Sequence, residues 1–376
     1  MSKNENNKKT DKNEEDNQNR LTYTDDIIKD RLGRYGAVFF PSDVRETIDD
    51  IIGNEPQKER LEDFFKALKK YDEIEAQLKK ANLTPNLTIL LYGPPGTGKT
   101  TLTRAFAKAY NIPICVVESD RLVSPLLGDT IKNIRQVVDL AADIAKERGA
   151  FVLFFDEIDA VGSERSNIHE VGEIKRAVIS FLQVIDRINY EGYPLAIVGA
   201  TNHQQQLDSA IWRRFTFHLS FDFPDYQLRK LILEGFLEKV KKAKIGVDNS
   251  IQAKLNDEFN KIQKIANELE AKLDQKVSEF YDVLFWKEVE KNNNINGLLK
   301  MTHGYSGSDI ERGTRVALFK AIHTELMTYD VFYRALELVG GTATHLNTYN
   351  SIDRTIPNEN REIKHNKKNI SGPPEI

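Results

Sequence analysis

The stretch Gly93-Pro94-Pro95-Gly96-Thr97-Gly98-Lys99-Thr100 has the residue types and spacing that hold a polyphosphate. Its outer glycines stand five positions apart, and Lys-Thr follows directly. Glycines let the backbone fold close around phosphate oxygens. Exposed N–H groups and the positive end of a following helix then hold the anion. Lys99 is expected against the β and γ phosphates, and the Thr100 hydroxyl on Mg²⁺. Thr101, where the next helical stretch begins, completes the set of phosphate-side residues.

Two further groups suit phosphoryl chemistry. Asp156-Glu157 closes the apolar run Phe151-Val152-Leu153-Phe154-Phe155. Carboxylates at the carboxyl end of a buried parallel strand face the ligand crevice of such sheets. Asp156 is read as the metal group, holding Mg²⁺ through water, and Glu157 as the group that orients and polarises the attacking water. Asn202 ends a second apolar run, Ala196 to Thr201, where it can meet that water or the γ phosphate. An asparagine after a strand is by itself more often a turn former, and only its place after the acidic strand favours function. Arg213-Arg214 offers two guanidinium groups for charge on a transferring phosphoryl group, in trans if the site lies at a subunit boundary.

These groups need a sheet with its loops gathered at one end. Strands are predicted at 88–92, 114–117, 151–155, 195–199 and 217–221. The run at 151–155 does not alternate, so both its faces should be buried, as in parallel sheets covered by helices. The fold class is therefore α/β: a P-loop parallel sheet flanked by helices over 46–225, then a small all-helical lid over 226–340. Leu61, Phe64, Phe65 and Leu68 mark a helix that precedes the sheet. Residues 1–20 offer no apolar surface and read as a disordered tail. Residues 21–45, with Leu32, Val38, Phe39 and Phe40, read as a short adaptor segment, and 341–376 as a flexible polar tail.

Between Gly246 and Gly297 there is no glycine or proline. Leu255, Phe259, Ile262, Ala266, Leu269, Leu273, Val277, Phe280 and Leu284 recur there by threes and fours. The stripe fits a helix packed on its own domain or a projecting arm that meets a partner. Its shortness, about four heptads, favours the first. Beyond it, Ser306 or Ser308 can cap a helix, with Glu311 completing a capping box on Ser308.

The 376 residues carry a net charge of −4, so there is no whole-chain bias towards nucleic acid. The single cysteine, Cys115, lies in an apolar run and reads as a core residue. It excludes an internal disulfide and suits a reducing compartment. The first twenty residues lack the apolar centre of a secretory signal, and no run reaches membrane-spanning length. A cytoplasmic location with no membrane contact is the default expectation. The seven histidines show no metal-ligand spacing.

Taken together, these motifs resemble the AAA ATPases within the wider AAA+ P-loop group, in their stand-alone single-ring form. Phe154-Phe155-Asp156-Glu157-Ile158-Asp159 resembles the family's acidic strand, and Ala200-Thr201-Asn202 its first sensor. Leu207 to Phe215 resembles its arginine-finger segment. Gly304-Tyr305-Ser306-Gly307-Ser308-Asp309-Ile310 resembles the start of its second-sensor helix, and Asp50-Ile51-Ile52-Gly53 its adenine-side entry. The resemblance covers about residues 47–245 and 298–325. It implies ATP and Mg²⁺ bound between a large and a small domain, with Ile51, Ile52 and Gly307 near adenine. It also implies a homo-oligomeric ring, commonly a hexamer, with Arg213 and Arg214 as trans fingers and a protein substrate to be remodelled.

Two departures stand out. Leu126 occupies the place of the aromatic residue expected in the pore loop, within Ser124-Pro125-Leu126-Leu127-Gly128-Asp129. Roughly thirty residues within 246–297 are extra relative to a short connection. Two other functions remain open on sequence. One is a nucleic-acid-handling ATPase, which is not favoured because acidic residues are interspersed in the Lys-rich stretches 238–244 and 361–368. The other is a non-hydrolysing assembly switch, against which Glu157 argues.

Overall fold

A computed structural model of the chain describes residues 22–122, 129–159, 168–280 and 282–342. The tail expected over 1–20, the pore-loop position Leu126 and residues 343–376 lie outside those segments.

Helix α1 (Asp25–Gly33) leads into strand β1 (Gly36–Phe39). Helix α2 (Glu55–Lys69) precedes strand β2 (Thr88–Tyr92). Then come α3 (Lys99–Ala109), β3 (Ile114–Val117), α4 (Asp129–Arg148) and β4 (Phe151–Phe155). Helix α5 (Ile168–Glu191), β5 (Leu195–Thr201), the short α6 (Ser209–Trp212) and β6 (Phe217–Ser220) complete the large domain. The sheet order is β1-β3-β4-β5-β2-β6. All pairings are parallel except β1 with β3.

The apolar strands bury both faces because successive side chains alternate between them. On β4, Phe151, Leu153 and Phe155 join one core with α1, α4 and α5. Val152 and Phe154 join the other, with Leu61, Phe64, Phe65 and Leu68 of α2 and Leu102 and Phe106 of α3. Such runs bury about 1.5–3 kcal/mol per large side chain, which is why the strand ends below are rigid.

The segment 21–45 is not a separate adaptor. Ile28, Leu32, Tyr35 and Phe40 are buried in the first core, and β1 pairs with β3 in the register Gly36↔Val117 to Phe39↔Ile114. The apolar residues read as a short adaptor segment are contacts of the large domain, which they extend by one antiparallel edge strand.

The lid begins with α7 (Tyr226–Lys242), capped by Asp225, whose carboxylate accepts from Leu228 N at 2.8 Å. It continues with β7 (Gly246–Val247), α8 (Asn249–Leu273), α9 (Val283–Lys291), α10 (Gly307–Ile322), β8 (Leu326–Met327) and α11 (Tyr329–Val339). It is helical apart from the two-residue parallel pair of β7 and β8.

Helix α8 packs on its own domain. Ile251, Leu255, Ile262 and Ala266 are buried in the lid core. The stripe does not run on as one helix: Asp274 adopts φ 51° and ends it, a left-handed conformation that Asp tolerates better than most residues. Leu273 and Leu284, expected in the stripe, are exposed.

The chain between α8 and α9 carries Glu279 into the lid. Glu279 is buried and pairs with the fully buried Arg229 at 2.7 Å. Arg229 also donates to the carbonyls of Pro224 and Leu299, each at 2.9 Å. His303 Nδ1 meets the same carboxylate at 2.6 Å, and its ring stacks on Trp286 with centroids 3.8 Å apart. Burial opposes charge on Glu279, but Arg229 and His303 outweigh it and hold the carboxyl below the usual range. The extra segment thus anchors the base of the lid where it leaves the sheet.

The capping box at α10 is Ser306 with Asp309 rather than Ser308 with Glu311. Ser306 Oγ accepts from Asp309 N at 3.2 Å, and Asp309 Oδ2 accepts from Ser306 N at 2.8 Å. Ser308 N is used elsewhere, as described next.

Candidate active site

The loops at the carboxyl ends of β2, β4 and β5 meet the lid around a cavity of about 520 Å³. Pro95, Gly96, Thr97, Gly98, Lys99, Thr100 and Thr101 line it on one side, with Asp156, Glu157 and Asn202. Ile51, Ile52 and Gly307 line the other, together with Leu228, Ile232 and Phe236. Gly93 and Pro94 do not line it. Their carbonyls receive the Lys99 ammonium instead, at 2.8 and 2.9 Å.

Lys99 also donates to Asn202 Oδ1 at 2.8 Å. Burial pulls its ammonium down to about 8, with Asp156 and Asp159 acting the other way. A cation held in a pocket by carbonyl dipoles is poised for an anion that supplies a full opposite charge. Thr100 Oγ1 lies 3.5 Å from Asp156 Oδ2. Burial pushes the Asp156 carboxyl above its ordinary value, opposed by the Glu157 N–H and by Lys99.

The acidic turn is held tightly. Ser119 Oγ donates to the carbonyls of Asp156 at 2.6 Å and Glu157 at 3.1 Å. Glu157 sits at φ 50° and is exposed to the cavity. A non-glycine residue in that region stores strain, which the Ser119 clamp offsets. Asn202 is placed by a second clamp: Thr201 Oγ1 donates to the buried Asp159 at 2.6 Å and accepts from His203 N at 3.0 Å.

The lid touches the phosphate loop directly. Ser308 N donates to Gly96 O at 3.2 Å. Gly96 has φ +75°, and a Cβ there would stand 2.5 Å from Ser306 Oγ. On the opposite wall, a Cβ at Gly235 would stand 2.1 Å from Ile52 Cδ1, so the bare backbone of α7 is what admits Ile52.

Arg213 and Arg214 are not brought to this cavity. Arg213 is exposed, and Arg214 pairs with Asp186 of α5 at 2.7 Å. The sequence reasoning missed Ser119, Asp159 and the α7 wall. Leu228, Ile232 and Phe236 recur at four-residue spacing, a stripe legible as one helix face. Nothing local shows that it meets Ile51 and Ile52. Among the described residues there is no cluster of His, Cys, Asp and Glu able to hold a metal by itself, and no helix long and apolar enough to cross a membrane.

A glycine loop between a parallel strand and a helix, facing carboxylates at neighbouring strand ends under a helical lid, defines a P-loop nucleotide-binding protein. Residues 89–223 match the family model described as "ATPase family associated with various cellular activities (AAA)". The chain is 32% identical over 192 residues to a putative 26S proteasome regulatory subunit homolog of Methanothermobacter thermautotrophicus, covering 51% of this chain and 48% of that protein. It is 38% identical over 149 residues to the uncharacterized AAA family ATPase y4kL of Sinorhizobium fredii, covering 40% and 43%. The chain thus spans about half the length of the curated relatives it matches. The crystal structure of the FIGL-1 AAA domain shares the fold, with a TM-score of 0.56 at 22% identity over 88% of this chain and 94% of that one.

Proposed function

We propose that this chain binds ATP in the lid-covered cavity, hydrolyses it, and uses the step to remodel a protein substrate as a homo-oligomeric ring, a hexamer on the family pattern. The observation that carries the proposal is the convergence of Lys99, Asn202, Thr100, Asp156 and Glu157 in one cavity that Ile51, Ile52, Leu228, Ile232 and Phe236 also line. Its volume suits a ligand of nucleotide size. The polyphosphate lies along the loop, with Lys99 at the β and γ phosphates. The base lies between Ile51, Ile52 and the α7 wall, beside Gly307.

The oxygen pair of Thr100 and Asp156 fits Mg²⁺, a hard cation that takes one or two protein ligands plus phosphate and water. When bound, the ion neutralises charge on the phosphates. The protein's own work is positional. Glu157, with its main chain fixed by Ser119, orients and polarises a water. Asn202, fixed through Thr201 and Asp159, senses the γ phosphate. The Arg213-Arg214 pair supplies the guanidinium that acts on the nucleotide of a neighbouring copy.

A protein substrate is supported by the proteasome regulatory names of relatives. Leu126 would then grip an extended chain by apolar contact. A reducing, cytoplasmic setting belongs to the same proposal, on the single buried Cys115.

Two measurements test this. Phosphate release from Mg-ATP should rise more steeply than linearly with protein concentration as copies assemble. Linear turnover by a monomer would remove the trans contribution, and stimulation by DNA would favour a nucleic-acid role. Second, the ligand-free site loses the charged form of Lys99 as pH rises through about 8. Bound phosphate favours that form, so binding takes up a proton above this pH. Nucleotide affinity should be flat from about pH 6.5 to 7.5 and weaken by up to ~10-fold per unit above 8. A fluorescent-nucleotide titration reads this, and a flat profile to about pH 9.5 would separate Lys99 from the phosphates.

A further inference from the structure

The two adjacent arginines are not equivalent. They follow α6, whose cap Asp208 accepts from Ala210 N at 2.7 Å. The main chain around them is fixed. Thr88 Oγ1 donates to Arg214 O at 3.2 Å and accepts from Thr216 N at 2.9 Å. Trp212 stacks on His218 with centroids 4.2 Å apart, and His218 Nε2 meets Trp212 O at 2.9 Å. A loop pinned on both sides does not rotate as a body, so any choice between the guanidinium groups is made by side chains.

Their surroundings differ. Arg214 Nε is shut off from solvent and lies 2.7 Å from Asp186 Oδ1, an ion pair without hydrogen-bond geometry. Arg213 is exposed, and among the described residues no carboxylate pairs with it. A guanidinium held beside a carboxylate has its charge balanced there. To serve a phosphoryl group it must first give up that pair.

We infer that Asp186 is a positioning residue that keeps Arg214 on its own chain and leaves Arg213 as the guanidinium delivered to the neighbouring copy's nucleotide. This rests on the proposed trans completion of the site and adds which arginine completes it and what decides. Asp186 is itself half exposed, at 50%. Its pair with Arg214 is therefore an orienting contact and contributes little to stability. Arg214 in return cancels a carboxylate that would repel a polyphosphate brought to this face.

The test is steady-state ATP turnover by the full chain carrying Arg213→Ala, Arg214→Ala, Asp186→Asn, or Arg213→Ala with Asp186→Asn. Arg213→Ala should lower kcat by ~10³-fold, in the range of a lost arginine finger, with KM changed by less than about threefold. Arg214→Ala and Asp186→Asn should each cost less than about tenfold. Adding Asp186→Asn to Arg213→Ala should raise kcat at least about tenfold over Arg213→Ala alone, because the released Arg214 takes the vacant role. A merely structural Asp186 lowers activity in every background. The inference is overturned if Arg214→Ala is as damaging as Arg213→Ala, or if the double variant is no faster than Arg213→Ala. If neither arginine variant slows turnover, trans completion fails as well, which distinguishes the two levels of the account.

Discussion

Lys99→Ala is expected to lower kcat/KM for ATP by at least ~10³-fold, with the fold retained. Truncating one partner of a buried charged contact costs about 2–5 kcal/mol, or roughly 30- to 5,000-fold. Here the lost cation also faces charge that develops on the phosphates, which adds to the loss in kcat. Lys99 is only 7% exposed, so water does not replace it well. The fold survives because burial disfavours this charge in the ligand-free protein. Its removal leaves two carbonyls and the Asn202 amide facing a cavity that water can enter. Phosphate release and nucleotide titration on the same preparation check both halves. Native turnover would show that the cavity is not the site of hydrolysis.

Glu157→Gln is expected to act on kcat alone. The change keeps shape and removes the charge that polarises water, a role worth ~10²–10⁴-fold. The clamps on this turn are main-chain contacts from Ser119, and they persist in the variant. KM should stay within about threefold, and the protein should hold ATP rather than ADP after gel filtration. A variant that hydrolyses at the native rate would transfer the water-orienting role to another group. Captured with ATP in place, the same variant also provides the means of isolating a bound protein substrate.

The sheet and the phosphate loop were legible because each is specified locally. A strand buried on both faces is a continuous apolar run, and Phe151–Phe155 has that pattern. The glycine loop announces itself by spacing. What stayed hidden depends on contacts distant in sequence. Strand β1 is four residues long, and its identity comes from pairing with β3, about eighty positions later. The choice of helix cap shows the same limit. The sequence offers Ser306 or Ser308 as the cap, with a capping box only for Ser308 and Glu311, and the Gly96 carbonyl decides against that box by taking Ser308 N. The break at Asp274 has no glycine or proline to mark it. Glu279 and Asp186 are ordinary acidic residues until the fold sets Arg229 beside one and Arg214 beside the other.

The central claim is that one copy's pocket is completed by another copy's arginine, and a mixing experiment addresses it most directly. Glu157→Gln subunits have a defective pocket but an intact Arg213, and Arg213→Ala subunits have the reverse. Each alone should be nearly inactive. Mixed in equal amounts and allowed to exchange, about a quarter of the sites should pair an intact pocket with an intact donor, and phosphate release should recover to that order. Turnover in the mixture no greater than the sum of the two separate variants would contradict the account.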